Sequence, residues 1–188
     1  MEHMYNKIQG WFTFPNLYKS VVEKFDNAIF VEVGAWKGKS VAFMAVEIAN
    51  SKKNIKFYCV DPWNGACEDH NANAYQCAEV KNNSLYEHFL NNIAPVKDYV
   101  IPIKDYSLNA SKQFKDSSLD FVFIDASHDY ENVKADIAVW FPKMKKGGIF
   151  AGHDYPSYPG VKKAVDEFVK EKNLNLKSQE ICWWVEII

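Results

Sequence analysis

The chain has 188 residues, of which 48% are hydrophobic and 24% charged, and its 22 lysines against 24 acidic residues give a formal net charge of −2. This composition is typical of a globular protein and excludes a disordered or fibrous chain. The near-neutral charge gives no concentrated basic surface for nucleic acid or an anionic membrane, and the absence of arginine disfavours bidentate recognition of phosphate.

Short apolar segments alternate with amphipathic ones along the chain, which is typical of a mostly parallel sheet flanked by helices. In chain order we expect a helix at 15–25, a strand at 28–33, a helix at 39–49, a strand at 56–60, a helix at 84–93, strands at 99–103 and 119–125, a helix at 130–141, a strand at 148–151, a helix at 160–170, and strands at 174–179 and 182–188. No repeat or linker divides this pattern, so we expect a single domain over 1–188 with an N-terminal helical segment at 1–27.

The long polar stretch 62–83 interrupts this pattern, and an irregular insertion of this length is typical of a lid or a binding loop.

The four cysteines lack the C-x-x-C spacing of zinc or redox sites, so we expect free thiols in a reducing compartment. The N-terminus has no apolar signal stretch, and no run of residues is apolar enough to span a membrane. These features predict a cytoplasmic protein with no membrane partner.

The sequence Phe-Val-Glu-Val-Gly-Ala-Trp-Lys-Gly-Lys-Ser at 30–40 predicts a buried strand, a glycine turn and a helix. Gly34 and Gly38 would let the backbone approach a ligand closely. Their G-x-x-x-G spacing differs from the dinucleotide fingerprint and from the phosphate loop, so it does not predict a pyrophosphate site. Asp61 ends the next strand, where a carboxylate can accept hydrogen bonds from both ribose hydroxyls. Together these features predict an adenosine ligand without phosphates.

Acidic and histidine side chains follow two later strands. Asp125 ends one of them and is followed by His128, and the pair His153 and Asp154 ends the other. Because neighbouring parallel strands lie about 4.8 Å apart, Asp125, His153 and Asp154 could converge on one cation. Two carboxylates and an imidazole suit Mg²⁺ or Mn²⁺, and the imidazole favours manganese or iron. The alternative is that Asp125 or Asp154 only caps a following helix.

Four sequence segments together resemble the class I S-adenosylmethionine-dependent methyltransferases. They are the glycine turn at 30–40, Val-Asp-Pro-Trp at 60–63, Phe-Ile-Asp-Ala-Ser-His-Asp-Tyr at 123–130, and Gly-Gly-Ile-Phe-Ala-Gly-His-Asp-Tyr at 147–155. More narrowly, they resemble the group related to macrolide-sugar O-methyltransferases and cephalosporin hydroxylase-like proteins. The resemblance implies an α/β, three-layer Rossmann-like sandwich, whose seven-stranded sheet is mostly parallel with an antiparallel last strand.

The resemblance also implies two bound groups, S-adenosylmethionine and a divalent metal (Mg or Mn). It places Glu32 and Gly34 near the methionine moiety of the cofactor, and Asp61 at the ribose. The remaining cofactor-site candidates are Asp105 and Ser107 beside the adenine, together with Gly38, Ser40, Trp63 and Asp125. The implied metal ligands are Asp125, His153 and Asp154, and the implied catalytic residues are His128, as general base, and Asp125.

Two positions depart from the pattern of the group, since Ala126 stands where glycine is common and His153 where some members have glutamate.

The expected reaction is methyl transfer to a hydroxyl oxygen of a small-molecule acceptor, such as a sugar or natural-product-like compound. The alternatives are an iron-dependent oxygenase built on His128, His153 and an aspartate, and a degenerate protein without turnover.

Candidates for an aromatic acceptor wall are Trp11, Phe12, Phe14, Trp63 and residues 155–158. The adjacent Trp183 and Trp184 must face opposite sides of a strand, so a homo-oligomer could cover one of them.

Overall fold

The computed structural model of the chain describes residues 1–65 and 78–188. The helices are α1 (Pro15–Lys24), α2 (Lys39–Ser51), α3 (Ala78–Lys81), α4 (Leu85–Ile93), α5 (Ser107–Ala110), α6 (Tyr130–Trp140) and α7 (Pro159–Lys172). The strands are β1 (Asn27–Val33), β2 (Asn54–Asp61), β3 (Ile101–Lys104), β4 (Leu119–Ile124), β5 (Met144–Gly152), β6 (Lys177–Gln179) and β7 (Cys182–Glu186). Short 3₁₀ turns add to these elements, among them one at Tyr5–Lys7.

The strands form one seven-stranded sheet in the order β3-β2-β1-β4-β5-β7-β6. Strands β1 to β5 pair in parallel, whereas β7 runs antiparallel to both β5 and β6. The predicted fold class, with its mostly parallel sheet and antiparallel last strand, is therefore confirmed.

Helices cover both faces of the sheet because the strands carry apolar side chains on both sides. β4 is buried at all six positions. On β1, Phe30 belongs to the core beneath α1, α2 and α4, whereas the next residue, Val31, belongs to the core beneath α6 and α7. This double burial explains why the strands read as continuous apolar runs in the sequence.

The register of the parallel strands aligns their carboxyl ends. Val33 pairs with Val60 on one side and with Ile124 on the other, and Ile124 pairs with Gly152. The residues that follow or flank this row are the ones the sequence singled out: Gly34, Asp61, Asp125 and His153. One edge of the sheet therefore collects the predicted cofactor and metal residues.

The observed elements differ from the predicted ones mainly at their ends. The expected strand at 174–179 begins only at Lys177. α7 runs to Lys172, Asn173 caps it in the left-handed conformation, and Leu174 N donates to Val169 O. Within the stretch expected to be irregular, Ala78–Lys81 is helical. Residues 66–77 of that stretch, with Cys67 and Cys77, lie outside the described residues.

Two further observations concern the thiols and the helices of the described ranges. Cys59 and Cys182 are free and buried, in agreement with the expectation for these two residues. Among the helices in residues 1–65 and 78–188, none has the length and apolar character that crossing a membrane requires.

Candidate active site

The turn after β1 is held by contacts within the chain. Gly34 has φ +95°, and a Cβ on it would lie 1.9 Å from the backbone oxygen of Asp125. Gly38 has φ +85°, and its Cβ would meet Phe89 and Ile93 at 3.0 Å. Both glycines are therefore needed for the close packing of the turn itself, whether or not a ligand also approaches the backbone there.

Asp61 fixes the same turn through its carboxylate. Its Oδ2 accepts hydrogen bonds from Ala35 N at 2.9 Å and Trp36 N at 2.8 Å, and its Oδ1 accepts one from Trp63 N at 2.6 Å. Burial raises the pKa of Asp61, and these three backbone donors oppose the rise. Trp36 (φ 41°) and Trp63 (φ 48°) both adopt left-handed backbone conformations. The carboxylate thus stabilises a strained turn, and the remaining lone pair on Oδ1 can accept a further hydrogen bond.

Trp63 lies behind the turn. Only 1% of its surface is exposed, its Nε1 donates to Trp36 O at 2.8 Å, and its ring packs against Tyr86 and Phe89. This sequence candidate for the cofactor site is therefore a buried support of the turn.

Glu32 and Ser40, two other cofactor-site candidates, meet beneath the turn. Glu32 is fully buried, Tyr18 OH donates to its Oε2 at 2.9 Å, and Ser40 Oγ donates to its Oε1. Burial raises the pKa of Glu32 to about 8, although the hydrogen bonds from Ser40 and Tyr18 lower it. The carboxyl group is therefore largely neutral near pH 7.

Asp105 and Ser107 follow β3 at the same edge of the sheet. Asp105 Oδ1 accepts a hydrogen bond from Tyr106 N at 2.8 Å. Ser107 Oγ instead takes part in an interior network, because it accepts from Trp140 Nε1 at 2.9 Å and donates to Asp136. Burial raises the pKa of Asp136 to about 6 despite the Ser107 hydrogen bond.

Asp125, His153 and Asp154 form the cluster that the sequence predicted. One candidate ligand atom from each lies within 4.8 Å of the others. His153 Nδ1 is 3.4 Å from Asp125 Oδ1 and 3.4 Å from Asp154 Oδ1. Burial lowers the pKa of His153, but its interactions with the two carboxylates outweigh burial and raise the pKa to about 10. Two carboxylates and one imidazole nitrogen, this close together, fit a divalent cation.

The capping alternative for the two aspartates is not supported. Asp129 caps α6, since its Oδ1 accepts from Asn132 N at 3.0 Å, and the residue before α7 is Tyr158. Asp154 also has φ 65°, a conformation that costs a non-glycine residue free energy. The Asp154 carboxylate lies 2.9 Å from His128 Nε2 and 3.4 Å from His153 Nδ1.

His128 lies next to the cluster on the loop before α6. Its Nε2 is 2.9 Å from Asp154 Oδ2, and its ring stacks on Tyr158 with centroids 4.1 Å apart. Asp154 therefore contacts both histidines. Burial raises the pKa of Asp154, but hydrogen bonds from His128 and His153 outweigh it and hold the pKa well below its usual range.

The aromatic residues considered for an acceptor wall divide into two groups. Phe14 and Trp63 are buried, and Phe12 packs against Phe14 with centroids 4.7 Å apart, so these three belong to the core. Trp11 is 64% exposed and stacks on Trp36, and Tyr158 is also exposed. Tyr155 is partly buried, and its hydroxyl donates to Asp166 Oδ1 at 3.0 Å. Trp11 and Tyr158 are therefore the exposed aromatic residues of the predicted set.

Three residues that the sequence reading missed complete the site. Lys37 is 4% exposed, and its Nζ bonds to Gln9 Oε1 and to Glu79 Oε1 at 2.8 Å each. Thr13 Oγ1 lies 3.0 Å from His153 Nε2, and Tyr18 bonds to Glu32. The helical pattern identified Tyr18 only as part of α1, and nothing in the sequence separated Thr13 or Lys37 from ordinary surface residues.

The chain is similar in sequence to known proteins. A family model described as a methyltransferase domain matches residues 31–155. The uncharacterized protein R132 of Acanthamoeba polyphaga mimivirus is 27% identical over 154 residues, which cover 78% of this chain and 61% of that protein. The chain thus spans about three fifths of the length of this curated relative.

Solved structures share the fold at low sequence identity. The O-methyltransferase NovP has a TM-score of 0.73 at 19% identity, covering 92% of this chain and 78% of NovP. A Streptococcus mutans protein solved in complex with SAH has a TM-score of 0.61 at 14% identity, covering 95% of this chain and 100% of that one. Likeness at these identities shows the fold.

Proposed function

Because the chain belongs to the methyltransferase domain family, we propose that it transfers a methyl group from S-adenosylmethionine to a hydroxyl oxygen of a small molecule, with the help of a divalent cation. The observation that carries this proposal is the shared edge of the sheet. The turn at Gly34 and the carboxylate of Asp61 lie there beside Asp125 and His153. A cofactor and an acceptor bound at the two halves of this edge would be neighbours.

The cofactor half of the edge comprises the turn 34–38, Asp61 and Asp105. Asp61 keeps one lone pair on Oδ1 for a ribose hydroxyl, and Asp105 follows the strand that pairs with Asp61. The Streptococcus mutans protein of the same fold was solved in complex with SAH, which supports a cofactor of this chemical class. When bound, S-adenosylmethionine supplies a methyl group already activated by its sulfonium. The chain's task is then to orient the acceptor oxygen and to remove its proton.

The acceptor half comprises Asp125, His153 and Asp154, which would hold Mg²⁺ or Mn²⁺. Such an ion lowers the pKa of a hydroxyl group that binds to it. The two aspartates supply negative charge for the cation, and His153 supplies a neutral nitrogen once its Nδ1 is deprotonated. Trp11 and Tyr158 are exposed close in sequence to Thr13 and His153, and we assign them to the wall against which the acceptor packs.

His128 is the proposed general base. Its Nε2 faces Asp154, so a neutral ring that donates from Nε2 carries its lone pair on Nδ1. Asp154 would orient this ring and stabilise the imidazolium that forms when His128 takes the acceptor's proton. Stacking on Tyr158 holds the ring plane.

The iron-oxygenase alternative is less well supported by this geometry. A two-histidine, one-carboxylate site would need the nitrogens of both His128 and His153 directed at one ion. Instead, the described cluster contains one histidine and two aspartates, and His128 Nε2 is paired with Asp154.

Calorimetric titration with S-adenosylmethionine, with and without Mn²⁺, tests the proposal. Asp61→Ala should weaken cofactor binding by about 1–3 kcal/mol, through the loss of charged hydrogen bonds. Asp154→Ala should leave cofactor affinity nearly unchanged and abolish turnover. Absence of binding at millimolar cofactor would refute the main proposal. If both variants lost the same amount of cofactor affinity, the division of the edge into a cofactor half and an acceptor half would be refuted. Cofactor binding without turnover on any acceptor would indicate a degenerate protein.

A further inference from the structure

The segment 8–14, here called the N-terminal strap, crosses the edge of the sheet that carries the site. At one end it is tied to the glycine turn, because Lys37 Nζ donates to Gln9 Oε1 at 2.8 Å and Lys39 Nζ donates to Gly10 O at 2.9 Å. At its other end, Phe14 is buried with its ring centroid 5.0 Å from that of His153. The strap is therefore fixed at both halves of the site.

Side chains of the strap divide between the core and the site. Phe12 and Phe14 pack in the aromatic core, where Phe14 lies 4.4 Å from Phe123 between ring centroids. Thr13, between them, directs its Oγ1 to His153 Nε2 at 3.0 Å. The buried Phe14 and the partly buried Phe12 thus hold the backbone on both sides of Thr13, and this packing sets the position of its hydroxyl.

From these contacts we propose that Thr13 is a positioning residue for His153. The hydrogen bond between His153 Nε2 and Thr13 Oγ1 holds the ring with Nδ1 toward Asp125 Oδ1 and Asp154 Oδ1, each 3.4 Å away. When Nδ1 binds a cation, Nε2 carries the hydrogen and donates it to Thr13 Oγ1. A ring flipped about its Cβ–Cγ bond would move Nδ1 away from both carboxylates. Thr13 thereby keeps the third ligand atom of the cluster in place.

This inference rests on the proposed cation site. Hydrogen-bond partners of a ligating histidine fix its orientation, and their loss typically lowers metal affinity by roughly 10- to 100-fold. Thr13→Val removes the hydroxyl at nearly constant shape, whereas Thr13→Ser retains it. Ser20→Ala is the matched control, since it removes an exposed hydroxyl of α1 that bonds only locally, to Leu17 O.

The first test titrates Mn²⁺ alone into the cofactor-free proteins by calorimetry. We expect Thr13→Val to weaken Mn²⁺ binding by roughly tenfold or more, while Thr13→Ser and Ser20→Ala stay close to the wild type. A Thr13→Val protein that binds Mn²⁺ as tightly as the wild type would overturn the inference.

The second test needs no metal, and it separates a failure of this inference from a failure of the cation site. In ¹⁵N-histidine-labelled protein, the Nε2 proton of His153 can be assigned by its loss in His153→Asn. We expect it to be protected from exchange in the wild type and in Thr13→Ser, and to lose that protection in Thr13→Val. A resonance that is unprotected in the wild type, or equally protected in Thr13→Val, overturns the inference whether or not Mn²⁺ binds.

Discussion

Replacement of Asp136 by asparagine should stabilise the protein at neutral and alkaline pH. Asp136 is buried beneath Ser107 and Trp140, and burial raises its pKa from 3.8 to about 6. The folded protein therefore binds a proton at this site more tightly than the unfolded chain does. Wild-type stability accordingly falls as the pH rises from about 4 to about 6. Asparagine has the same shape, can still accept from Ser107 Oγ, and carries no charge.

The expected size of the effect follows from the two pKa values. A rise from 3.8 to about 6 corresponds to about 3 kcal/mol of stability lost on ionisation. Urea denaturation of both proteins between pH 4 and pH 8 measures it. The stability difference in favour of Asp136→Asn should grow by about 2 kcal/mol between pH 4 and pH 7, because the folded protein is only half ionised at pH 6, and then remain constant. A difference that does not change with pH would refute the reasoning that burial of the charged carboxylate is costly here.

Three further predictions concern the site. Glu32→Gln should gain stability relative to the wild type as the pH rises from 5 to 8, because burial raises the pKa of Glu32 to about 8 and the wild type alone must ionise there; urea denaturation measures this, and a gain that shrinks with pH would contradict it. His128→Gln should lower kcat by roughly 10²- to 10⁴-fold with little change in cofactor affinity, and a near-normal rate at every pH would exclude a general-base role. Trp11→Ala should raise KM for the acceptor several-fold without changing cofactor affinity, because the exposed ring is assigned to the acceptor wall; loss of cofactor binding instead would place Trp11 at the other half of the site.

Much of the fold could be predicted because its signals are local. Continuous apolar runs in the sequence identified the strands, because β1 and β4 are covered by helices on both faces. The acidic residues that follow those runs identified the carboxyl ends of the strands. Parallel register then brings Asp61, Asp125 and His153 to one edge, as the sequence reading required. The end of α7 was misplaced because the left-handed cap at Asn173 delays β6, and asparagine alone does not specify such a cap.

The contacts that refine the site could not be predicted, because they join distant parts of the chain. Thr13 meets His153 across the fold, and Lys37 joins Gln9 to Glu79. Ser107 was expected beside the adenine, yet its hydroxyl bonds to Asp136 and Trp140, which lie on the next helix along the chain. Each of these side chains is polar and of a common type, so only the packing of the folded chain distinguishes it.

A co-crystal structure with S-adenosylhomocysteine and Mn²⁺ tests the central claim most directly, namely that one edge of the sheet holds the cofactor and a cation side by side. We predict nucleoside density between the turn at Gly34 and Asp105, with the ribose on Asp61. We also predict an anomalous manganese peak among Asp125, His153 and Asp154. Cofactor density away from Asp61, or manganese bound elsewhere while the Asp125 cluster keeps its ion pairs, would contradict the claim.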